Sequence, residues 1–243
     1  MKVKIIYSEE RGTTELGWLH SRHSFSFAEY YNPKRNLFGA LRVLNDDIVE
    51  PGEGFGMHNH ANFEIVSIVL EGALEHKDSI GSHGVIKTHE IQRISAGTGI
   101  THSEFNPSTK EKVHFLQIWI KPKELGIQPS YEQKKFDFQK NNLTEIASGK
   151  RSHDKVYLHQ DTYLSICYFD KGKKISYKLK NPNNGVFAFV IEGSIFVGNH
   201  KLKKYDSVEI TDADEIIFKT EDLSKVLFIE VPMELSKKYI NES

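Results

Sequence analysis

Apolar positions along the chain fall in short runs rich in β-branched and aromatic residues, broken by Gly, Asn and Asp. The clearest are "ALRVL" (40–44), "FEIVSIVLEG" (63–72), "GVIKTHEIQRIS" (84–95), "VHFLQIWI" (113–120), "TYLSICYF" (162–169), "VFAFVIEG" (186–193), "DSVEI" (206–210) and "KVLFIEV" (225–231). Runs of this length and spacing predict strands throughout, and in this number they predict an all-β sandwich or barrel. Helical periodicity is weak, and short helices are predicted only at Leu143–Ala147 and Met233–Tyr239.

The strand pattern repeats. "EIVSIVLEGALEH" (64–76) matches "VFAFVIEGSIFVG" (186–198) around Gly72 and Gly193, "EIQRISAGTGITHSEF" (90–105) lies over "DSVEITDADEIIFKTE" (206–221), and "VHFLQIWI" answers "KVLFIEV". Two related antiparallel β-barrels in one chain are the simplest account. The less patterned, Lys- and Asn-rich stretch from Lys121 to Lys155 marks the junction, giving units 1–125 and 126–243. Residue counting from the paired glycines sets His58 and His60 against Leu179 and Asn181, and His102 and Glu104 against Phe218 and Thr220. Only the first unit keeps these groups, so one active barrel and one scaffold barrel are expected.

Composition narrows the chemistry. A single cysteine, Cys167, excludes an internal disulfide and any cysteine zinc cluster, which leaves histidine and carboxylate as metal ligands. Lys and Arg against Asp and Glu number 12 to 15 in residues 1–120 and 20 to 18 in residues 121–243, so no basic nucleic-acid footprint exists. Lysine clusters such as "DKGKK" (170–174) read as solvated turns. No run approaches the length of a membrane span. The opening "MKVKIIYSEERGTTELGW" lacks the apolar core of a signal peptide, and a cytoplasmic protein is expected.

Two pairs carry the candidate chemistry. In an extended strand, residues two apart share a face, so "HNH" directs His58 and His60 the same way and turns Asn59 to the other side. "THSEF" does the same for His102 and Glu104. Each pair follows a glycine-rich turn, "GEGFG" or "AGTG". Barrel closure would bring three imidazoles and one carboxylate around a point, a ligand set for a divalent transition metal of higher than tetrahedral coordination. These donors leave the metal open among Fe, Ni, Mn, Co, Cu and Zn. His76 and His89 are reserve ligands without a partner at two residues' distance.

On these residues the chain resembles the pirin family of the cupin superfamily, and within it the bacterial quercetinase-like branch. The matching segments are "HSFSFAEYYNP" (23–33), "FGALRVLNDDIVEPGEGFGMHNHANFEIVSIVLEGALEHKDSIG" (38–81), "QRISAGTGITHSEFNPS" (92–108) and "VHFLQIWIKP" (113–122), with a weaker match over the second half. The resemblance implies a bicupin, with two jelly-roll-like barrels face to face and one metal, iron first in line, in the N-terminal barrel. The ligands it implies are His58, His60, His102 and Glu104. The family commonly has Pro and Arg where this chain has Asn59 and Ala61.

The activity implied is flavonol dioxygenation: quercetin is opened between C2 and C3 with loss of carbon monoxide, and Glu104 acts as general base toward the 3-hydroxyl. The partners expected are therefore a small aromatic chelating substrate and dioxygen. Met57, Phe63, Phe105 and Phe115 are candidate wall residues, Phe25 and Phe27 candidates for the mouth, and Gln117 and Trp119 lie on alternate positions of their strand. Other pirin relatives suggest a metal- or redox-responsive regulator that binds a protein partner, and a cupin for another chelating molecule is a third reading. Two barrels that satisfy each other within one chain predict a monomer.

Overall fold

The computed structural model describes residues 1–235. Its first strands are β1 (Lys2–Ile6), β2 (Gly12–Glu15), β3 (Leu19–His23), β4 (Leu41–Val49), β5 (Gly54–His60) and β6 (Glu64–Glu71). Then follow β7 (Ala73–Asp78), β8 (His83–Lys87), β9 (Glu90–Ser95), β10 (Ile100–Phe105), β11 (Val113–Ile120) and β12 (Ser130–Lys135). The second half contributes β13 (Leu143–Ser148), β14 (Val156–Tyr157), β15 (Tyr163–Phe169), β16 (Lys174–Lys178) and β17 (Asn184–Glu192). It closes with β18 (Ser194–Val197), β19 (His200–Lys203), β20 (Ser207–Thr211), β21 (Glu215–Thr220) and β22 (Ser224–Pro232). A 3-10 turn at Ser8–Glu10 is the one helical element among the described residues.

Each half is a seven-stranded sheet facing a four-stranded one. The first half has the orders β12-β9-β6-β11-β4-β3-β2 and β5-β10-β7-β8, and the second has β1-β20-β17-β22-β15-β13-β14 and β16-β21-β18-β19. All pairings are antiparallel except the short β13–β14 contact and a single bridge from Lys140 to Tyr168. This is the bicupin arrangement expected from the sequence. The division at residue 125 separates the chain but not the sheets, because β1 pairs with β20 while β12 pairs with β9. Leu143–Ala147, expected as a helix, is strand β13: its backbone pairs with β15, and that pairing overrides a weak local preference. The helix expected at Met233–Tyr239 lies mostly outside the described residues.

Alternation along the large sheets explains their apolar runs. Val66, Ile68 and Leu70 of β6 and Leu116, Ile118 and Ile120 of β11 share one buried cluster with Phe187, Phe189 and Ile191 of β17 and Leu227, Ile229 and Val231 of β22. The two large sheets therefore pack on each other, and their strands are buried on both faces. The opposite faces line the barrel interiors. In the second barrel that interior is one continuous cluster that includes Tyr177, Ala188, Val208, Ile216, Phe218 and Phe228. In the first it splits into two smaller clusters, one around Leu74 and Phe115 and one around Ile65 and Ile94. Buried polar groups lie between them: Asn45, Asp47, Ser67, His76, Gln92, His102, Glu104 and Gln117.

Strand pairing corrects the repeat at the site. Gly72 and Gly193 turn alike, each at φ 77°, but the connections that flank β5 and β10 differ in length from those that flank β16 and β21. Phe105 lies opposite Glu75, and Lys219 lies opposite the equivalent Phe196. Counting from there, Glu104 matches Phe218 and His102 matches Ile216, not the residues two further on. His58, opposite His102, matches Tyr177, opposite Ile216. His60 in turn matches Leu179. Gln92, Ser67 and Gln117 correspond in the same way to Val208, Ala188 and Phe228. The second barrel has an apolar side chain at each of these positions except Tyr177, whose hydroxyl donates to Glu230.

Candidate metal centre and its cleft

Strand β5 exposes Met57 and Asn59 and turns His58 and His60 inward, as alternation requires. His102 of β10 sits directly across from His58. Gly54 lets these two strands close at their far end, since a Cβ there would lie 2.3 Å from the carbonyl oxygen of Glu104. The ligand atoms of His58, His60 and His102 all lie within 4.8 Å of one another, with ring centroids 4.4 to 5.0 Å apart.

Three imidazoles this close would repel if charged. Burial first, then the neighbouring imidazoles, hold the pKa of His60 down to about 4 and that of His102 down to about 3. Both therefore offer neutral lone pairs. Nδ1 of His58 donates to the Gly56 carbonyl at 2.7 Å, which leaves its Nε2 as the free lone pair. His102 is fully buried, yet neither ring nitrogen has a hydrogen-bond partner. Burying two unpaired polar atoms is costly unless something else binds them. A cation held by the three histidines would satisfy one of the two, the nitrogen that His102 turns to the cluster.

Glu104 lies outside the three-histidine set. Its Oε1 accepts hydrogen bonds from Gln92 Nε2 at 2.6 Å and Ser67 Oγ at 3.2 Å, and its Oε2 accepts one from Gln117 Nε2 at 2.9 Å. A bulge between His102 and Glu104 shifts their register against β5. Of the reserve ligands, His76 is buried beside His102 with its Nε2 tied to Asp78 at 2.9 Å and its ring stacked on Tyr131. His89 is exposed on a turn and packs on Phe138, away from the cluster.

His58, His60 and Glu104 line a cleft of about 200 Å³. One wall is apolar, with Leu16, Leu19, Phe27, Phe55 and Trp119; Trp119 meets His60 edge-on at 4.7 Å and Phe27 at 5.4 Å. Of the aromatic residues proposed from sequence, Phe27 and Trp119 serve as wall, Phe115 and Phe25 are core, Phe63 packs behind Trp119, and Met57 is exposed to solvent. Phe105 is not part of the lining. Asn59 accepts a hydrogen bond from Thr101 on the outer face of β5 and β10.

The opposite wall is polar and was not anticipated: Thr14, Ser21, His23, Asn45 and Asp47. Burial above all, with the charges of Asp46 and Glu104 adding to it, pushes the Asp47 carboxyl up to about 7 against the pull of Ser21 and Arg11. The unfolded chain releases this proton near the ordinary value of 3.8 while the folded chain still holds it, so stability falls as pH rises from about 4 to about 7. Asp47→Asn removes that dependence. In denaturant melts of the metal-free proteins, the variant should gain on wild type across this range by at most about 4 kcal/mol, three pKa units at 1.36 each. Parallel pH profiles would show that Asp47 does not titrate there.

Fold and cluster together define a bicupin with one barrel fitted for a metal. Residues 6–120 match the Pirin family model, and residues 145–231 match that of the quercetinase C-terminal cupin domain. The quercetin 2,3-dioxygenase of Escherichia coli (strain K12) is 40% identical over 225 residues, 93% of this chain and 96% of that protein. The crystal structure of bacterial pirin YhhW from Escherichia coli, in complex with nickel(II), superposes with a TM-score of 0.90 at 38% identity, covering 95% of this chain and 99% of that one. A structure of quercetin 2,3-dioxygenase from Acinetobacter baumannii shares the fold at TM-score 0.77 and 20% identity, covering 99% of this chain and 86% of that one. The chain belongs to the pirin family. No helix among the described residues is long and apolar enough to cross a membrane.

Proposed function

We propose that this protein is a metal-dependent dioxygenase that opens flavonols such as quercetin at the C2–C3 bond with release of carbon monoxide. The observation that carries this reading is the pair of buried, unpartnered nitrogens on His102, within a three-histidine set at one end of an aromatic-walled cleft. His58, His60 and His102 would hold a divalent metal, with Glu104 completing the set. When bound, the metal supplies Lewis acidity that lowers the pKa of a chelated hydroxyl. Ser67 and Gln92 fix the aim of the Glu104 carboxylate through Oε1, and Oε2, which accepts the Gln117 bond, would take the proton of the flavonol 3-hydroxyl when the carboxylate is released from the metal. Phe27, Phe55 and Trp119 hold the flat ring system and keep water from it.

Three imidazoles and a carboxylate accept Fe, Ni, Mn, Co, Cu and Zn alike. The nickel in the Escherichia coli relative makes Ni(II) the first to test, beside Fe(II). The test is dioxygen consumption with quercetin after anaerobic reconstitution with each metal and assay of metal content. Turnover with at least one metal, accompanied by carbon monoxide, is the expected result. Stoichiometric metal without turnover in every case would overturn the reading.

A further inference from the structure

The polar wall of the cleft is a ladder of cross-strand pairs: Ser21 lies opposite Asp47, His23 opposite Asn45, and Asn45 in turn opposite Gln117. Nδ1 of His23 lies 2.9 Å from Asn45 Oδ1 and 3.3 Å from Ser21 Oγ, and the tautomer protonated at Nδ1 orients the ladder. Burial holds the pKa of His23 below its usual value, so the ring is neutral and carries one N–H. Nδ1 of His23 donates to Asn45 Oδ1 at 2.9 Å, Nε2 accepts from Thr14 Oγ1 at 2.8 Å, and Ser21 Oγ donates to Asp47 Oδ1. Together these bonds satisfy one atom of Asn45 and one of Asp47. The remaining atoms, the Nδ2 amide of Asn45 and the Oδ2 of Asp47, have no hydrogen-bond partner among the described residues and are not sealed from the cleft.

Both side chains are more than nine-tenths buried, at 2% and 3% exposed. They stand two residues apart on β4, hence on one face, so a donor and an acceptor are presented side by side. The equivalent positions of the second barrel carry the smaller Ser165 and Cys167, opposite Phe228 and Val226, so neither the amide nor the carboxyl is kept there. The second barrel fills the neighbouring positions with Ala188, Val208 and Phe228. A hydroxyl oxygen can accept from an amide N–H, and the same hydroxyl can give its proton to the Asp47 carboxylate or accept from the protonated acid, so this pair has the shape to hold it in either state. The histidines lie on the facing four-stranded sheet, with Phe27, Phe55 and Trp119 lining the space between.

We infer that Asn45 and Asp47 form a recognition pair for a phenolic hydroxyl carried by the substrate on a ring remote from its chelating oxygens, so that the enzyme selects polyhydroxylated flavonols over the bare chelating scaffold. This rests on the flavonol reading above. Sites built to hydrogen-bond a hydroxyl discriminate strongly against analogues that lack it, because their polar groups are otherwise left unpaired.

The test is anaerobic calorimetric titration of the nickel-loaded protein with 3-hydroxyflavone and with quercetin, which share the chelating pair and differ in their other hydroxyls. Wild type should bind quercetin at least about tenfold more tightly. In Asp47→Asn and, separately, Asn45→Ala that preference should fall to within about twofold, while 3-hydroxyflavone binds as before. Binding of both ligands with no preference in wild type, or with the same preference in wild type and variants, overturns the recognition pair and leaves the flavonol reading in place. Failure of both ligands to bind the loaded wild type overturns both. The wild-type comparison decides even if a variant does not fold.

Discussion

Replacing His102 by isoleucine should stabilise the metal-free protein and abolish metal binding in one step. The wild-type imidazole is buried with both nitrogens unpaired, and each such atom costs about 1–3 kcal/mol. The equivalent position in the second barrel is Ile216, itself fully packed. Removing the penalty should raise the melting temperature in chelator by roughly 4–8 °C if about 2 kcal/mol is recovered. Wild type should in turn gain about 2.7 kcal/mol from a metal at a hundred times its dissociation constant, and the variant nothing. Melts with and without Ni(II) measure both effects. A variant that melts lower in chelator, or that still gains from metal, would show that the unpaired imidazole of His102 is neither a penalty nor a metal ligand.

Glu104→Gln should leave the fold and the histidine-bound metal in place and lower kcat by about 10²–10⁴, the usual contribution of a positioned base. An amide here presents an N–H to Gln92 and Gln117, which at present donate to the carboxylate. Both glutamines have an Oε1 without a partner, so rotation of either amide re-forms the network. The loss should therefore be chemical and not structural. Single-turnover dioxygen uptake with metal content measured on the same sample tests this, and a variant that retains wild-type kcat would remove Glu104 from the proton-transfer role.

Much of this was legible in the sequence, and the reasons differ from residue to residue. His58 with His60, and His102 with Glu104, could be paired because strand periodicity is strictly two, and burial confirms that both histidines of β5 turn inward. The double-sided burial of β6 could be read from its unbroken apolar run. Repeat counting misplaced the second barrel's equivalents by two residues, because counting along the chain cannot detect a change of loop length that strand pairing reveals. The polar wall was missed for another reason. "LRVLNDDIV" reads as one strand with a polar interruption, and only the pairing of β3 with β4 shows Asn45 and Asp47 turned into the cleft while Asp46 faces away to Arg11 and His114. A polar triplet inside an otherwise apolar strand was the available signal.

The exchange of flanking strands also sets the order in which the protein can be completed. Among the described residues, Lys2 to Ile6 have their sheet partners at Ser207 to Thr211, so β1 waits for a strand made roughly 200 residues later, about 10–40 s at ordinary synthesis rates. Until then β1, the edge strand beside β20 in the second large sheet, has no partner to pair with. The first barrel can assemble its histidine cluster during synthesis, whereas β1 is locked down only once β20 has been made.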